Sequence, residues 1–263
     1  MTAAHPPTVP LAVTELGDGP PLLFLHGLLG RARNWLTVGR AMADSHAVQL
    51  VDLRNHGASP WSDVAGYAAM AADIASLIES GGAGPPTLVG HSMGGKVAMT
   101  LALSRPELLR RLIIVDIAPV RYASGYERYI EAMLAADLSP GRRRTDVDAG
   151  LAAAVPDAAM RAFLMQNLES RDGRLAWQPN LAVLLTAMPE LMDFPADLPA
   201  GAFAGPTRSL RGERSDYVGP AGEAALRRLF PDATVAAVPG AGHWPHAEQP
   251  AAFLAALREA LSD

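Results

Sequence analysis

The sequence predicts an α/β fold: a mostly parallel central sheet covered by helices on both faces, with a helical insertion. Three observations carry that expectation. Apolar runs bounded by turn residues recur along the chain, such as "LLFL" (Leu22 to Leu25), "AVQLVDL" (Ala47 to Leu53) and "RLIIVDIAP" (Arg111 to Pro119). Continuous apolar runs, as opposed to alternating ones, are the mark of strands buried on both faces. Helix-like segments separate them, and strand–helix alternation implies parallel strands joined by crossovers. The length, 263 residues, suits one such domain with an insertion.

Taken in order, Val9 to Glu15 alternates like a strand and stops at "GDGPP". "LLFL" stops at His26-Gly27, and "AVQLVDL" stops before "RNHG". Tyr67 to Ser80 reads as a helix. "PTLVG" then leads into "GHSMGG", and Gly95 to Ser104 reads as the helix that follows. After the Arg111–Pro119 strand the rhythm breaks. Residues 120–199 contain "YERYIEAMLAAD", "MRAFLMQNL" and "NLAVLLTAM", which are helical in character, with no clear strand. This stretch is expected to form a lid over the C-terminal edge of the sheet, leaving 1–119 and 200–263 as the core. The strands "TRSLRG" and "TVAAVPG" and the helices Gly222 to Phe230 and Ala251 to Leu261 complete the alternation.

Composition narrows the function. Apolar residues make up 49% of the chain, enough for a large core. The net charge of -5 is not concentrated in runs, which argues against a nucleic-acid partner. There is no cysteine, so disulfides, thiolate metal sites and a cysteine nucleophile are excluded. "MTAAHPPTVP" lacks a basic start and an apolar signal core, and no apolar run approaches the ~20 residues of a membrane span. A cytoplasmic monomer or homodimer, without membrane insertion, is the expectation.

The chemistry centres on Gly90-His91-Ser92-Met93-Gly94, set between a strand and a helix. Small neighbours allow a tight turn that lifts the serine hydroxyl above the sheet beside a helix N-terminus. Two other readings compete. One is a helix cap. The other is a phosphate loop, which Gly90 to Lys96 nearly spells; but Val97 stands where a magnesium-binding hydroxyl is needed. A serine nucleophile needs a base, and histidine titrates in the working range. His5 lies near the N-terminus, His91 lies inside the turn, and His26 and His56 lie in loops that they would shape. His243 follows the last strand in "VPGAGHWPHAEQP" and is preferred to its neighbour His246.

In this context the chain resembles the α/β-hydrolases over nearly its whole length. "FLHGLLG", "NW", "DLRNHGASP", "GHSMGGKVAM", "VDIAP", "SDYV" and "GAGHWPHAEQP" follow the family's order and spacing. Among its branches it looks most like the small bacterial esterases of the YbfF type and their mitochondrial abhydrolase relatives. The resemblance implies Ser92 as nucleophile, His243 as base, and an oxyanion hole from the N–H groups of Leu28 and Met93. The usual acid position, Gly-x-x-Asp, reads Gly212-Glu213-Arg214-Ser215 here, with Asp216 one residue late. Asp116 of "VDIAP" is preferred as the acid, and Asp216 is the alternative.

The expected reaction is hydrolysis of short to medium acyl esters, or of thioesters, through an acyl-enzyme with no metal or cofactor. Expected substrate contacts are His26, Gly27 and Trp244, with Met133, Phe163, Trp177 and Met188 from the lid. Packing of the lid on the core explains the same lid residues. Arg142 to Arg144 would suit a coenzyme A phosphate, or else form a solvated run. A C–C bond hydrolase or lyase on the same triad, a non-catalytic receptor and a phosphate-binding module stay open as alternatives.

Overall fold

In a computed structural model of the protein, residues 7–123 and 125–262 are described. Seven strands form one sheet: β1 (Val13–Leu16), β2 (Pro21–Leu25), β3 (Ala47–Val51), β4 (Thr87–His91), β5 (Arg111–Val115), and two later strands introduced below. Before β3 comes the short helix α1 (Leu36–Met42). α2 (Tyr67–Gly81) and α3 (Met93–Ser104) flank β4.

Between β5 and the next sheet strand, the chain forms α4 (Glu127–Ala135), α5 (Arg144–Leu151), α6 (Ala158–Met165), the strands β6 (Leu168–Arg171) and β7 (Arg174–Trp177), and α7 (Leu181–Leu191). The core then resumes with β8 (Thr207–Gly212), α8 (Pro220–Leu229), β9 (Thr234–Val238), α9 (Pro245–Glu248) and α10 (Pro250–Ser262).

The sheet order is β1-β3-β2-β4-β5-β8-β9. Only β1 runs antiparallel to its neighbour. Successive side chains of a strand face opposite sides, and each side has its own core. Leu22, Phe24, Val89 and Ile113 pack with Val38 of α1 and with Phe253 and Leu257 of α10. Leu23, Leu25, Leu88 and Leu112 pack with Ile74 of α2, Val97 and Leu101 of α3, and Leu226 of α8. Phe253 and Leu257 are fully buried, each worth on the order of 2 kcal/mol in apolar transfer. Both central strands, β4 and β5, are buried at every residue.

Two expectations are corrected. Val9 is not in a strand; its N–H donates to Asp73 Oδ1 at 2.8 Å, and pairing starts at Val13. The insertion does contain strands. β6 and β7 pair in register around Asp172-Gly173, both with positive φ (50° and 76°). Two left-handed residues are what a two-residue hairpin turn requires, and Asp-Gly supplies them at low cost. α1 was not anticipated either. It is only seven residues long, too short to leave a strong periodic signal.

Candidate active site

β4 ends at His91 and α3 begins at Met93, so Ser92 alone makes the turn between them. Its backbone, φ 51° and ψ −120°, is one that a non-glycine residue keeps only when its surroundings hold it. Here the Ser92 N–H donates to Val115 O at 3.0 Å, and Ser92 O accepts the N–H groups of Gly95 (2.9 Å) and Lys96 (3.1 Å). Gly94 lets the turn approach the loop after β2: a Cβ there would meet His26 O at 2.5 Å. The Ser92 hydroxyl caps nothing in α3; it lies 3.2 Å from His243 Nε2.

His243 Nδ1 is 2.7 Å from Asp116 Oδ2. An ionised carboxylate only accepts, so Nδ1 carries the proton and Nε2 is left free to accept from Ser92. Asp116 is fully buried. Its Oδ1 accepts the Gly212 N–H at 2.8 Å, and its Oδ2 also accepts the Ser215 hydroxyl. Ser215, at the usual acid position, thus donates to the carboxylate that reaches His243. Asp216 is exposed, and among the described residues no hydrogen bond or ion pair joins it to His243. His243 is held from three further directions. Tyr217 stacks on its ring at 3.7 Å between centroids. His91 Nε2 donates to its carbonyl at 2.7 Å. Glu248 accepts the N–H groups of both neighbours, Gly242 (2.7 Å) and Trp244 (3.1 Å).

The loop after β2 carries Leu28. Its turn closes with Gly30 N–H on Gly27 O at 2.9 Å. Two neutral histidines fix it. His26 Nδ1 donates to Gly27 O at 2.8 Å, while Nε2 accepts the Leu53 N–H at 3.0 Å. His56 Nδ1 donates to Arg54 O at 3.0 Å, while Nε2 accepts the Leu29 N–H at 3.2 Å. Burial lowers the pKa of His26 to about 4 and that of His56 to about 3. Met93 is the first residue of α3, where an N–H has no partner within the helix. The Leu28 N–H joins no backbone hydrogen bond among the described residues.

A cavity of about 650 Å³ opens over Ser92, bordered by His26, Gly27, Leu28, Phe163 and Trp244. Three other expected lining residues are elsewhere. Met133, Trp177 and Met188 are buried in the hydrophobic core shared with the sheet's helices, and Trp177 Nε1 donates to Met133 O at 2.7 Å. An insertion with helices of its own must bury their apolar sides, and these residues do that. The arginine run is also occupied. Arg142 pairs with Asp137, Arg143 with Asp146, and Arg144 donates to the carbonyls of Met165 and Leu168. Lys96 is buried and donates to Met192 O (3.2 Å) and Asp193 O (2.7 Å), so it is not aimed at a phosphate. Burial lowers its pKa to about 7. His246 stacks on Trp35 at 4.2 Å, and His5 lies outside the described residues. Among the described residues no cluster of three His, Asp or Glu side chains is arranged for a metal ion.

Sequence reasoning missed the roles of Glu248, Tyr217 and Lys96. Glu248 left a signal: an acid in a turn opened by Pro245, five residues after His243.

The profile of the alpha/beta hydrolase fold family matches residues 20–250. The chain belongs to that family. It is 40% identical to mouse sn-1-specific diacylglycerol lipase ABHD11, over 97% of this chain and 86% of that one. It is 32% identical to esterase YbfF of Escherichia coli, over 94% of each. A marine microorganism esterase of known structure superposes with a TM-score of 0.93 at 32% identity, covering 96% of this chain and 99% of the other. Each of these similarities spans 94% or more of this chain.

Proposed function

We propose that this carboxylesterase-type hydrolase cleaves carboxylic esters through an acyl-enzyme on Ser92. The observation that carries the reading is the continuous chain Ser92 Oγ–His243 Nε2 (3.2 Å) and His243 Nδ1–Asp116 Oδ2 (2.7 Å). Ser92 Oγ attacks the ester carbonyl carbon, and His243 Nε2 takes its proton. The resulting oxyanion accepts the N–H groups of Leu28 and Met93; one such donor is worth ~3 kcal/mol of barrier in a protease. Collapse breaks the bond to the alcohol oxygen, which takes the proton from Nε2. Water then attacks the acyl carbon, gives one proton to Nε2, and collapse returns that proton to Ser92 as the carboxylic acid leaves. Asp116 stays ionised and holds the imidazole tautomer throughout.

The substrates are small-molecule esters of short to medium acyl chain. The kinship with esterases and lipases supports ester cleavage. The segment over Ser92, which contributes Phe163 to the cavity, acts as the lid. Among the described residues no helix is long and apolar enough to cross a membrane.

Hydrolysis of p-nitrophenyl butanoate by the wild type and by Ser92→Ala tests the proposal. Turnover lost in Ser92→Ala supports it. Equal turnover in both proteins rejects it.

A further inference from the structure

A second, smaller cavity of about 40 Å³ also reaches Ser92. Its walls include Met93, Lys96, Ile117, Met192 and Tyr217. His243 lines the 650 Å³ cavity and is not among the walls of the small one. The imidazole that protonates the departing alcohol must reach its oxygen. The alcohol therefore leaves on the side that His243 faces, into the large cavity, and the acyl group stays on the other.

The small chamber has rigid walls. Tyr67 donates its hydroxyl to Leu191 O at 2.5 Å, Lys96 holds the carbonyls of Met192 and Asp193, and Tyr122 donates to Tyr217 O at 2.7 Å. These bonds tie residues 191–193 to α2 and α3, and Tyr122 to the loop after β8. At ~10–15 Å³ per water by the same measure, the chamber holds about three waters, or an acyl tail of two to four carbons. The large cavity is in the range of a drug-sized ligand. Phe163, Met160 and Trp244 make much of its surface apolar, and the carboxylates of Asp157 and Glu248 border it. No arginine or lysine is among its walls, and Arg142 to Arg144 are engaged elsewhere, so an anionic leaving group finds no partner cation there.

We infer that Ser92 divides the site into a short-acyl chamber and a large alcohol cavity, so that the chain selects esters of acetyl- to butanoyl-sized acids with bulky, uncharged, apolar alcohols. The inference rests on the acyl-enzyme reading and adds the substrate class.

The test measures kcat/KM of the full chain on p-nitrophenyl esters from acetate to decanoate, and on ethyl, hexyl and benzyl acetates. The rate falls about tenfold or more from butanoate to octanoate, while hexyl and benzyl acetates exceed ethyl acetate. Met192→Ala raises the octanoate-to-acetate ratio about fivefold, and Phe163→Ala lowers the hexyl-to-ethyl ratio. An optimum at octanoate or longer overturns the inference and leaves the acyl-enzyme reading standing. Fluorophosphonate labelling of Ser92 without turnover of any short ester does the same. Loss of both turnover and labelling overturns the two together.

Discussion

Ser92 and Asp116 occupy equivalent places on adjacent strands. β4 and β5 pair as far as His91 and Val115, and the next residue of each has φ 51°. Each is tied to the neighbouring strand: Ser92 N–H donates to Val115 O and Asp116 N–H to Leu210 O, both at 3.0 Å. The same left-handed step thus brings both residues to the C-terminal edge of the sheet, where His243 meets the two side chains.

Asp116→Asn should lower kcat by about three to four orders of magnitude, since the amide favours the wrong imidazole tautomer. Asp216→Asn should change it less than about twofold, because Asp216 is exposed. Steady-state kinetics on p-nitrophenyl butanoate compares them. The reverse ranking would move the acid to the loop after β8.

Ser215 donates its hydroxyl to Asp116 Oδ2, so a carboxylate at 215 starts beside His243. Asp116→Asn combined with Ser215→Asp should recover at least about tenfold of the activity lost in Asp116→Asn alone. No recovery in a folded double variant would show that the two positions are not interchangeable.

Glu248 bridges the N–H groups on either side of His243. Gln keeps one acceptor and leaves one N–H unpaired, a loss of about 1–2 kcal/mol. Glu248→Gln should therefore reduce kcat roughly tenfold with KM nearly unchanged. A rise in KM at constant kcat would place Glu248 in substrate binding instead.

The fold should weaken in acid. His26 and His56 are buried neutral, with pKa values lowered to about 4 and about 3, and burial also lowers that of His91 well below its ordinary value. Below the ordinary value near 6.5, the unfolded chain binds protons that the folded chain refuses, so stability falls as pH falls. The stabilising contribution is present above pH ~6.5 and is lost progressively towards pH ~4, on the order of several kcal/mol in sum. Urea midpoints measured from pH 7 to pH 4 should decline steadily; a flat profile would contradict the neutral assignment.

The turn around Ser92 was legible because its requirements are local. Gly94 must be small to let His26 O approach, and that demand is written in the sequence itself. The choice between Asp116 and Asp216 was not local. It depends on β5 lying beside β8, which brings Asp116 to Gly212 and Ser215. The β6–β7 hairpin was hidden among helical periodicities, although Asp172-Gly173 marked its turn. Met133, Trp177 and Met188 illustrate the same difficulty: apolar residues of an insertion look alike whether they face a cavity or a packed core, and here they belong to the core.

The most direct test is to quench the reaction with p-nitrophenyl acetate in acid during turnover and map the acetylated peptide by mass spectrometry. The account predicts one acetyl group, on the peptide carrying Ser92, at the hydroxyl of Ser92 and absent from Ser92→Ala. Turnover with no acyl adduct, or with the acetyl group on another residue, would contradict it.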